Sequence, residues 1–304
     1  GEAKNRYLFP ETPLPFDYLR LVDLDWDLDA EEVIGRNFVL RDFDLDFVLS
    51  NGILRTTGGR VTYTGGSVTS EFMIDTSRPT PLVRLKYSAD DIDIRDILEH
   101  LHRPLILEGR LTAVADLQST GTTPRELASA LNGDFASAIE GGKIRRIANL
   151  LASDALDLVT TIPAMTVPDL PVPGMQEYAD LNCMAFRFIF EDGVGKSEVI
   201  FLDTRDLRIR GAGVIDLGSE TVDLVVAPRP KKRRLSMTSS VRISGPLANP
   251  SKRKIPIQEA AQLAGEVLAP YIFLPARGLG YLWYLIRTDK DQRAPCRELA
   301  PPVE

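Results

Sequence analysis

The sequence of 304 residues has little of the chemistry that most enzymes and metal proteins use. It contains two cysteines and only two histidines, His100 and His102. The histidines diverge from each other on a predicted helix because they are two positions apart. No nucleophile elbow, P-loop or C-x-x-C motif occurs in the chain. We therefore predict that it is not an enzyme and that it holds no metal and no cofactor.

Composition and charge narrow the class of partner. A net charge of −7 argues against nucleic acid, because a nucleic-acid binder carries a basic surface. The hydrophobic fraction of 44% is that of a folded chain. Cys183 and Cys296 are either free thiols or one long-range disulfide in an oxidising compartment. The opening residues contain no signal peptide and read like a cut inside a longer chain.

Alternation with a period of two is the main structural signal, and it is clearest between Leu207 and Gly245. In such segments apolar residues occupy one side and charged residues the other, which is typical of strands with one dry face. Aspartates alternate in the same way with Leu24, Trp26 and Leu28. A calcium loop is the sharper interpretation of those aspartates, but Leu28 stands where an EF-hand needs glycine. We predict a mainly β fold with accessory helices, built on a large curled antiparallel sheet.

Spacing also predicts an internal repeat and a division of the chain. Gly52 and Asp75 are 23 positions apart, and so are Gly193 and Asp216. This favours two copies of one hairpin unit, around residues 43–75 and 186–216. Helices are expected over residues 90–102, 123–131 and 144–159. We expect a sheet domain over residues 1–250 and a helical, apolar tail over residues 251–304.

The apolar faces of eleven predicted strands exceed what the few helices can cover. A flat exposed face of that size would aggregate. Either the sheet curls into an apolar groove that holds lipid, or it closes into a barrel or sandwich with a dry core. The candidate groove residues are the apolar members of the alternating strands: Leu24, Trp26, Leu28, Phe43, Leu45, Phe47, Leu49, Phe72, Ile74, Val83, Leu85, Phe186, Phe188, Phe190, Leu207, Ile209, Ile215, Leu217, Val222, Leu224, Val226, Leu235, Met237, Val241 and Ile243.

Two further features suggest contact with a membrane surface. A basic loop lies between two predicted strands, and basic loops attract anionic lipid headgroups, although ordinary solvation also explains it. The apolar tail of residues 267–286 approaches the length of a membrane span, but its prolines, glycines and Arg277 argue against a simple span. It is either an interfacial or groove-capping segment or a helix folded back on the protein. The candidate membrane contacts are Lys231, Lys232, Arg233, Arg234, Tyr271, Phe273, Trp283 and Tyr284.

Several short motifs resemble the C-terminal region of the AsmA-like family. They are residues 8–15 (LFPETPLP) followed by 19–25 (LRLVDLD), residues 126–133 (ELASALNG), 243–250 (ISGPLANP) and 294–297 (APCR). The resemblance covers roughly residues 7 to 299, and the motifs are specific through their order and spacing. The aromatic tail is a departure from the family pattern.

The resemblance implies a non-catalytic protein of the bacterial envelope, anchored in the inner membrane by an N-terminal helix that precedes this segment. It implies that a curled β-groove in the periplasm carries phospholipid or another membrane lipid between the inner and outer membranes. The alternatives are a scaffold or assembly factor for outer-membrane proteins, with an envelope protein as partner, and a hydrolase using carboxylates.

Overall fold

The structure, a computed structural model, describes residues 7–35, 38–56, 58–145, 178–205, 207–231, 239–256, 259–260, 262–263 and 296. Fifteen strands of this part of the chain form one antiparallel sheet, accompanied by two short α-helices. The predicted mainly β fold with a large curled antiparallel sheet is confirmed.

The strands follow one another closely along the chain, because tight turns join most of them. They are β1 Leu24–Ile34, β2 Val39–Ser50, β3 Ile53–Thr56, β4 Gly59–Tyr63, β5 Gly66–Asp75, β6 Leu82–Asp93, β7 Arg110–Thr120, β8 Asn132–Glu140, β9 Lys143–Arg145, β10 Tyr178–Glu191, β11 Val194–Thr204, β12 Leu207–Asp216, β13 Thr221–Pro230, β14 Ser239–Pro246 and β15 Ser251–Pro256.

Neighbours in the sheet are mostly neighbours in the chain, so the topology is a long meander. The order runs β1-β2-β3-β5-β6-β7-β8-β10-β11-β12-β13-β14-β15. Strands β3 and β4 both lie between β2 and β5 and act as one interrupted strand, while β9 pairs with the start of β10. The β2–β3, β5–β6, β7–β8, β10–β11, β12–β13 and β14–β15 connections therefore share one end, which we call the lower end. The β1–β2, β4–β5, β6–β7, β11–β12 and β13–β14 connections lie at the upper end.

The two predicted repeat units have the same turn after their first strand. Asn51 and Gly52 have φ values of 51° and 75°, and Asp192 and Gly193 have 46° and 75°. The carbonyl oxygen of each glycine accepts a hydrogen bond from the residue that follows the last strand of its unit, Thr76 in one unit and Leu217 in the other. Between those points the first unit has three strands and the second has two.

Both helices are shorter than the periodicity predicts. Helix α1 spans Ile94–His100, because residues 90–93 still belong to β6 and Asp93 accepts the N–H of Arg95 as the N-cap. Helix α2 spans Pro124–Ser129, and its predicted cap, Thr123, accepts the N–H of Glu126. The Glu126 carboxylate accepts the backbone N–H of Thr122, the residue before the cap, at 2.6 Å.

Two segments differ from their predicted type. The predicted strand from Leu105 begins only at Arg110, and Leu107 makes a single bridge to Ile144. Ile144, the expected start of a helix, lies in strand β9 because it completes this bridge and pairs with β10. The rest of that predicted helix falls outside the described residues.

The proline-rich segment of residues 7–20, which we call the strap, runs along the lower end of the sheet. Leu14 donates its N–H to the carbonyl of Thr122 at 2.8 Å, and Arg125 donates to that of Pro10. The strap ends in a 3₁₀ turn, Phe16–Arg20, and the Arg20 guanidinium donates to the carbonyl of Thr76. The strap therefore ties together turns that are distant in sequence, in the extended conformation that its prolines favour.

Candidate functional site

The strand register places the candidate groove residues on one surface of the sheet, which we call the apolar face. Side chains directly opposite each other on paired strands share a face. Trp26 opposes Phe47, and Leu85 opposes both Phe72 and Leu117. The candidates on this face are Leu24, Trp26, Leu28, Phe43, Leu45, Phe47, Leu49, Phe72, Ile74, Val83, Leu85, Phe186, Phe188, Phe190, Leu207, Ile209, Ile215, Val222, Leu224, Val226, Val241 and Ile243.

Three other candidates stand apart from these strands. Leu217 lies in the turn after β12 and packs against the buried cluster around Leu224. Leu235 and Met237 lie outside the described residues. The role of the whole set in binding lipid stays a prediction.

The opposite surface, which we call the outer face, carries the charges. Arg242 makes a two-point contact with Asp223 on the neighbouring strand, with distances of 2.9 and 2.6 Å. Arg187 approaches Glu198 at 2.9 Å and Asp134 at 3.5 Å. These ion pairs line up across strands, as expected of a face in contact with water.

Glycines let neighbouring side chains close over strand β12. A Cβ atom at Gly211 would lie 2.8 Å from the side chain of Ile200, and one at Gly213 would lie 2.6 Å from Leu224. The residues of β11 and β13 therefore fill the space above β12 and belong to one buried cluster. On β11, the Phe190 ring covers Gly195 in the same way.

Exposure of the apolar face changes along the sheet. At the β1 edge, Leu24 is 44% exposed and Trp26 is 49% exposed, and Leu85 on β6 is still 36% exposed. Farther along, Phe188 and Leu224 are buried. The apolar face is therefore partly exposed at Leu24, Trp26 and Leu85, although Leu49 of β2 and Ala89 of β6 are buried, and it is largely buried from β10 to β14.

Helix α1 and the segment that follows it lie over the apolar face at the upper end. Ile94 and Leu107 pack in one buried cluster with Met184, Leu202 and Ile209, which come from strands β10, β11 and β12. The segment thus crosses from β6 to the middle of the sheet. It closes the upper end of the apolar face in that region.

Part of the outer face is also apolar, which the alternation pattern did not predict. Ala136, Ala138, Ala185 and Phe201 form a buried cluster there, together with Cys183 and Cys296. The two cysteines are joined in a disulfide, so the alternative of free thiols is wrong. The sequence signal was present as small residues at alternate positions, Ala136 and Ala138 in β8 and Cys183 and Ala185 in β10.

The described parts of the C-terminal tail pack against this outer face. Ala260 and Leu263 contact a cluster containing Val225 and Ile255, and Cys296 is held by its disulfide. At these points the tail folds back on the protein's own surface. The tail residues proposed for membrane contact, Tyr271, Phe273, Trp283 and Tyr284, lie outside the described residues.

The basic loop begins with an internal ion pair. Lys231 Nζ donates to the Asp203 carboxylate at 2.8 Å and to the carbonyl of Thr204 at 2.7 Å. Burial opposes ionisation of Asp203, but hydrogen bonds from Lys231, Asn182 and Arg208 outweigh it and lower the pKa of Asp203. Lys231 is therefore held by the fold. Lys232, Arg233 and Arg234 fall outside the described residues.

A buried carboxylate at the lower end was also missed by the sequence analysis. Glu220, in the β12–β13 turn, is 3% exposed and accepts the backbone N–H groups of Leu8 and Phe9. It also approaches the Arg125 guanidinium at 3.4 Å, and Arg125 lies over the Tyr7 ring. This hub anchors the strap, and no local sequence pattern marks it because its partners are about 100 or 200 positions away.

Comparison with known protein families identifies the chain. The model of the AsmA family matches residues 2–167, which is more than half of the sequence. The chain belongs to the AsmA family. The resemblance found in the sequence motifs is thereby confirmed.

An AsmA family protein is similar in sequence to this chain over part of its own length. The chain is 22% identical over 246 residues to the AsmA family protein YhjG of Escherichia coli (strain K12), which covers 78% of this chain and 34% of the relative. It therefore spans about a third of that relative's length. No solved structure matches the chain. The AsmA family is associated with assembly of the envelope or outer membrane, and its members are not known as enzymes.

The described part of the chain contains neither a metal-binding cluster nor a membrane-spanning helix. Within the described ranges, no group of three or more histidine, cysteine, aspartate or glutamate side chains could hold a metal ion. None of the helices described is long and apolar enough to cross a bilayer. His100 Nδ1 lies 2.8 Å from the Tyr63 hydroxyl, which gives that histidine a structural role at the upper end.

Proposed function

We propose that this AsmA domain binds the acyl chains of phospholipid or a similar membrane lipid on its apolar face and passes them between the inner and outer membranes. The lipid headgroup stays in water along the rim of the sheet. The protein does this without catalysis, as a passive surface. The observation that carries the proposal is the apolar face, which is continuous through the strand register and leaves Leu24, Trp26 and Leu85 partly exposed.

The open ends of the sheet support a groove over a closed core. A barrel requires its first and last strands to pair. Here β1 and β15 stand at the two ends of the strand order, and each pairs with one described strand only. A curled sheet that does not close leaves an apolar surface that needs an occupant, because exposed apolar patches of this kind mark binding sites.

The disulfide supports a location outside the cytoplasm. Structural disulfides persist in oxidising compartments such as the bacterial periplasm and are rare in the cytosol. The Cys183–Cys296 bond joins the sheet to the tail across 113 positions, so it is part of the tertiary structure. We propose that the domain works in the periplasm, and that the whole protein is anchored in the inner membrane.

Quenching of Trp26 fluorescence tests this function directly. Trp26 lies on the open part of the apolar face, against Phe47 with ring centroids 5.3 Å apart. In a Trp283→Phe variant it is the sole tryptophan, since the chain has two. Phosphatidylethanolamine with brominated acyl chains, loaded onto the delipidated protein, is expected to quench it strongly.

A matched variant moves the indole to the other face. Trp26→Phe combined with Val48→Trp and Trp283→Phe places the reporter on the outer face, one position from Phe47 along β2. There we expect weak quenching. Equal quenching of both reporters, or none with either, contradicts lipid binding on the apolar face.

A further inference from the structure

An open cleft lies at the lower end of the sheet, where the end of the strap meets the β2–β3 turn and the β5–β6 connection. It has a volume of about 560 Å³, a size that accommodates a small ligand or a headgroup. Its described lining consists of Arg20, Asn51, Thr76, Ser77, Arg78 and Pro79. Two of these residues are cations and none is a carboxylate, so the wall of the cleft favours an anion.

The fold packs Arg20 against the wall of this cleft. Its guanidinium donates to the carbonyl of Thr76. Gly52 has a φ of 75°, and a Cβ atom there would lie 3.1 Å from Cγ of Arg20. The missing side chain at Gly52 therefore lets the arginine of the strap lie against the β2–β3 turn. Thr76 is fully buried, and its hydroxyl donates to the carbonyl of Gly52 at 2.6 Å.

Arg78 is held from the other side by a largely buried carboxylate. Its Nε donates to Asp75 at 3.0 Å, and Asp75 also accepts the N–H and the hydroxyl of Ser77. The contact of Arg20 with Asp17 is 3.9 Å long and Asp17 is 98% exposed, so water screens it. A guanidinium has more N–H donors than these contacts use, and both arginines therefore keep donors for a ligand.

We propose that this cleft binds the phosphate group of a lipid whose acyl chains lie on the apolar face. Two guanidinium groups match a phosphate because they combine charge with several directed hydrogen bonds. The inference rests on the proposed function and adds to it the place at which the headgroup is held.

The position of the cleft is that expected of a headgroup site. Asn51 and Thr76 come two positions after Leu49 and Ile74, whose side chains belong to the apolar face. Two residues of extended chain span roughly 7 Å, so the cleft adjoins the lower end of that face. A lipid bound in this way keeps its phosphate in contact with water and its acyl chains on apolar side chains.

Quenching of Trp26 by two brominated lipids tests the proposal. Phosphatidic acid and diacylglycerol with the same brominated acyl chains differ only in the phosphate group. Each is titrated in the same neutral detergent into delipidated Trp283→Phe protein. We expect phosphatidic acid to bind at least about tenfold more tightly than diacylglycerol, because charge-assisted hydrogen bonds to phosphate are the strong ones.

Two pairs of substitutions assign that preference to the cleft. Arg20→Gln combined with Arg78→Gln is expected to bring the two lipids to within about twofold of each other. Arg55→Gln combined with Arg84→Gln removes the same charge from exposed positions on the outer face of β3 and β6, and it is expected to keep the preference. Urea denaturation confirms that each variant is folded, and the comparison of the two lipids in the Trp283→Phe protein needs neither pair.

Glycerol 3-phosphate separates a lipid headgroup from a free phosphate compound as the ligand. We expect it to displace phosphatidic acid only at a large excess, because it has no acyl chains. Displacement at the concentration of the lipid itself overturns the proposal and assigns the cleft to a soluble phosphate.

The remaining outcomes separate this site from lipid binding in general. Equal binding of the two lipids, or a preference that survives Arg20→Gln with Arg78→Gln, overturns the headgroup site and leaves acyl-chain binding on the apolar face standing. Equal loss of the preference in both variant pairs also overturns it, because it assigns the effect to overall charge. Quenching by neither lipid contradicts the proposed function and the headgroup site together.

Discussion

A carboxylate placed on the open apolar face separates a lipid-binding surface from a structural one. Leu85 lies there, 36% exposed, between Phe72 and Leu117. Since about two thirds of this side chain is buried, Leu85→Glu should lower the free energy of unfolding by about 1–2 kcal/mol. Contact between an ionised carboxylate and an acyl chain costs more than that, because charge is strongly disfavoured in an apolar environment. We expect at least about a tenfold loss of retained lipid, which corresponds to 1.4 kcal/mol.

Val48→Glu is the matched control for this substitution. Val48 is 39% exposed but lies on the outer face, between Asp25 and Arg55 on the adjacent strands. We expect a similar change in unfolding free energy and unchanged lipid. The assay is extraction and mass spectrometry of lipid from the purified proteins, beside urea denaturation. Equal lipid retention by Leu85→Glu and the wild type would refute the reasoning, and so would equal loss in both variants.

Three further substitutions test the elements that hold the sheet. Glu220→Ala should cost about 2–4 kcal/mol of unfolding free energy, because it leaves the backbone N–H groups of Leu8 and Phe9 without their acceptor and removes one of the two carboxylates that contact Arg125, and limited proteolysis should then cut the strap. Replacing Cys183 and Cys296 together with alanine should cost about 4 kcal/mol in urea denaturation, because the bond closes a loop of 113 positions. Asp203→Asn should lower stability at neutral pH; since the folded-state pKa of Asp203 is lowered, its contribution is present above about pH 4 and is lost as the pH falls further, so the variant and the wild type should converge in acid.

The alternation pattern predicted the face of each strand because side-chain direction depends only on parity within a strand. The sequence pattern predicted that Trp26, Phe72 and Leu224 lie on the apolar side of their strands. The strand register pairs them with Phe47, Leu85 and Ile243, which are also apolar. Turn signals also worked, since Asn51-Gly52 and Asp192-Gly193 both form tight turns with positive φ. Both signals are local. In a meander, strands that follow one another in the chain are also neighbours in the sheet, so local signals predict most of the topology.

Features that depend on distant partners could not be predicted. Glu220 reads as a surface residue, yet backbone groups more than 200 positions away bury it. Two cysteines allow a disulfide but do not require it, and only the packing of the tail against Ala136 and Ala185 brings Cys183 and Cys296 together. The helix expected at Ile144 gave way to a strand because a pairing site on β10 was available.

The contrast between the two faces is the strongest physical argument that the apolar face has an occupant. On the outer face, the smaller apolar patch around Phe201 is buried, and a disulfide holds Cys296 of the tail against it. The chain therefore covers apolar surface where that surface serves only stability. On the apolar face, Leu24, Trp26 and Leu85 stay exposed. Leaving such residues in water costs about 25 cal/mol for each Å² of apolar area, and this cost is the physical reason for the proposal that lipid covers the exposed part of the apolar face.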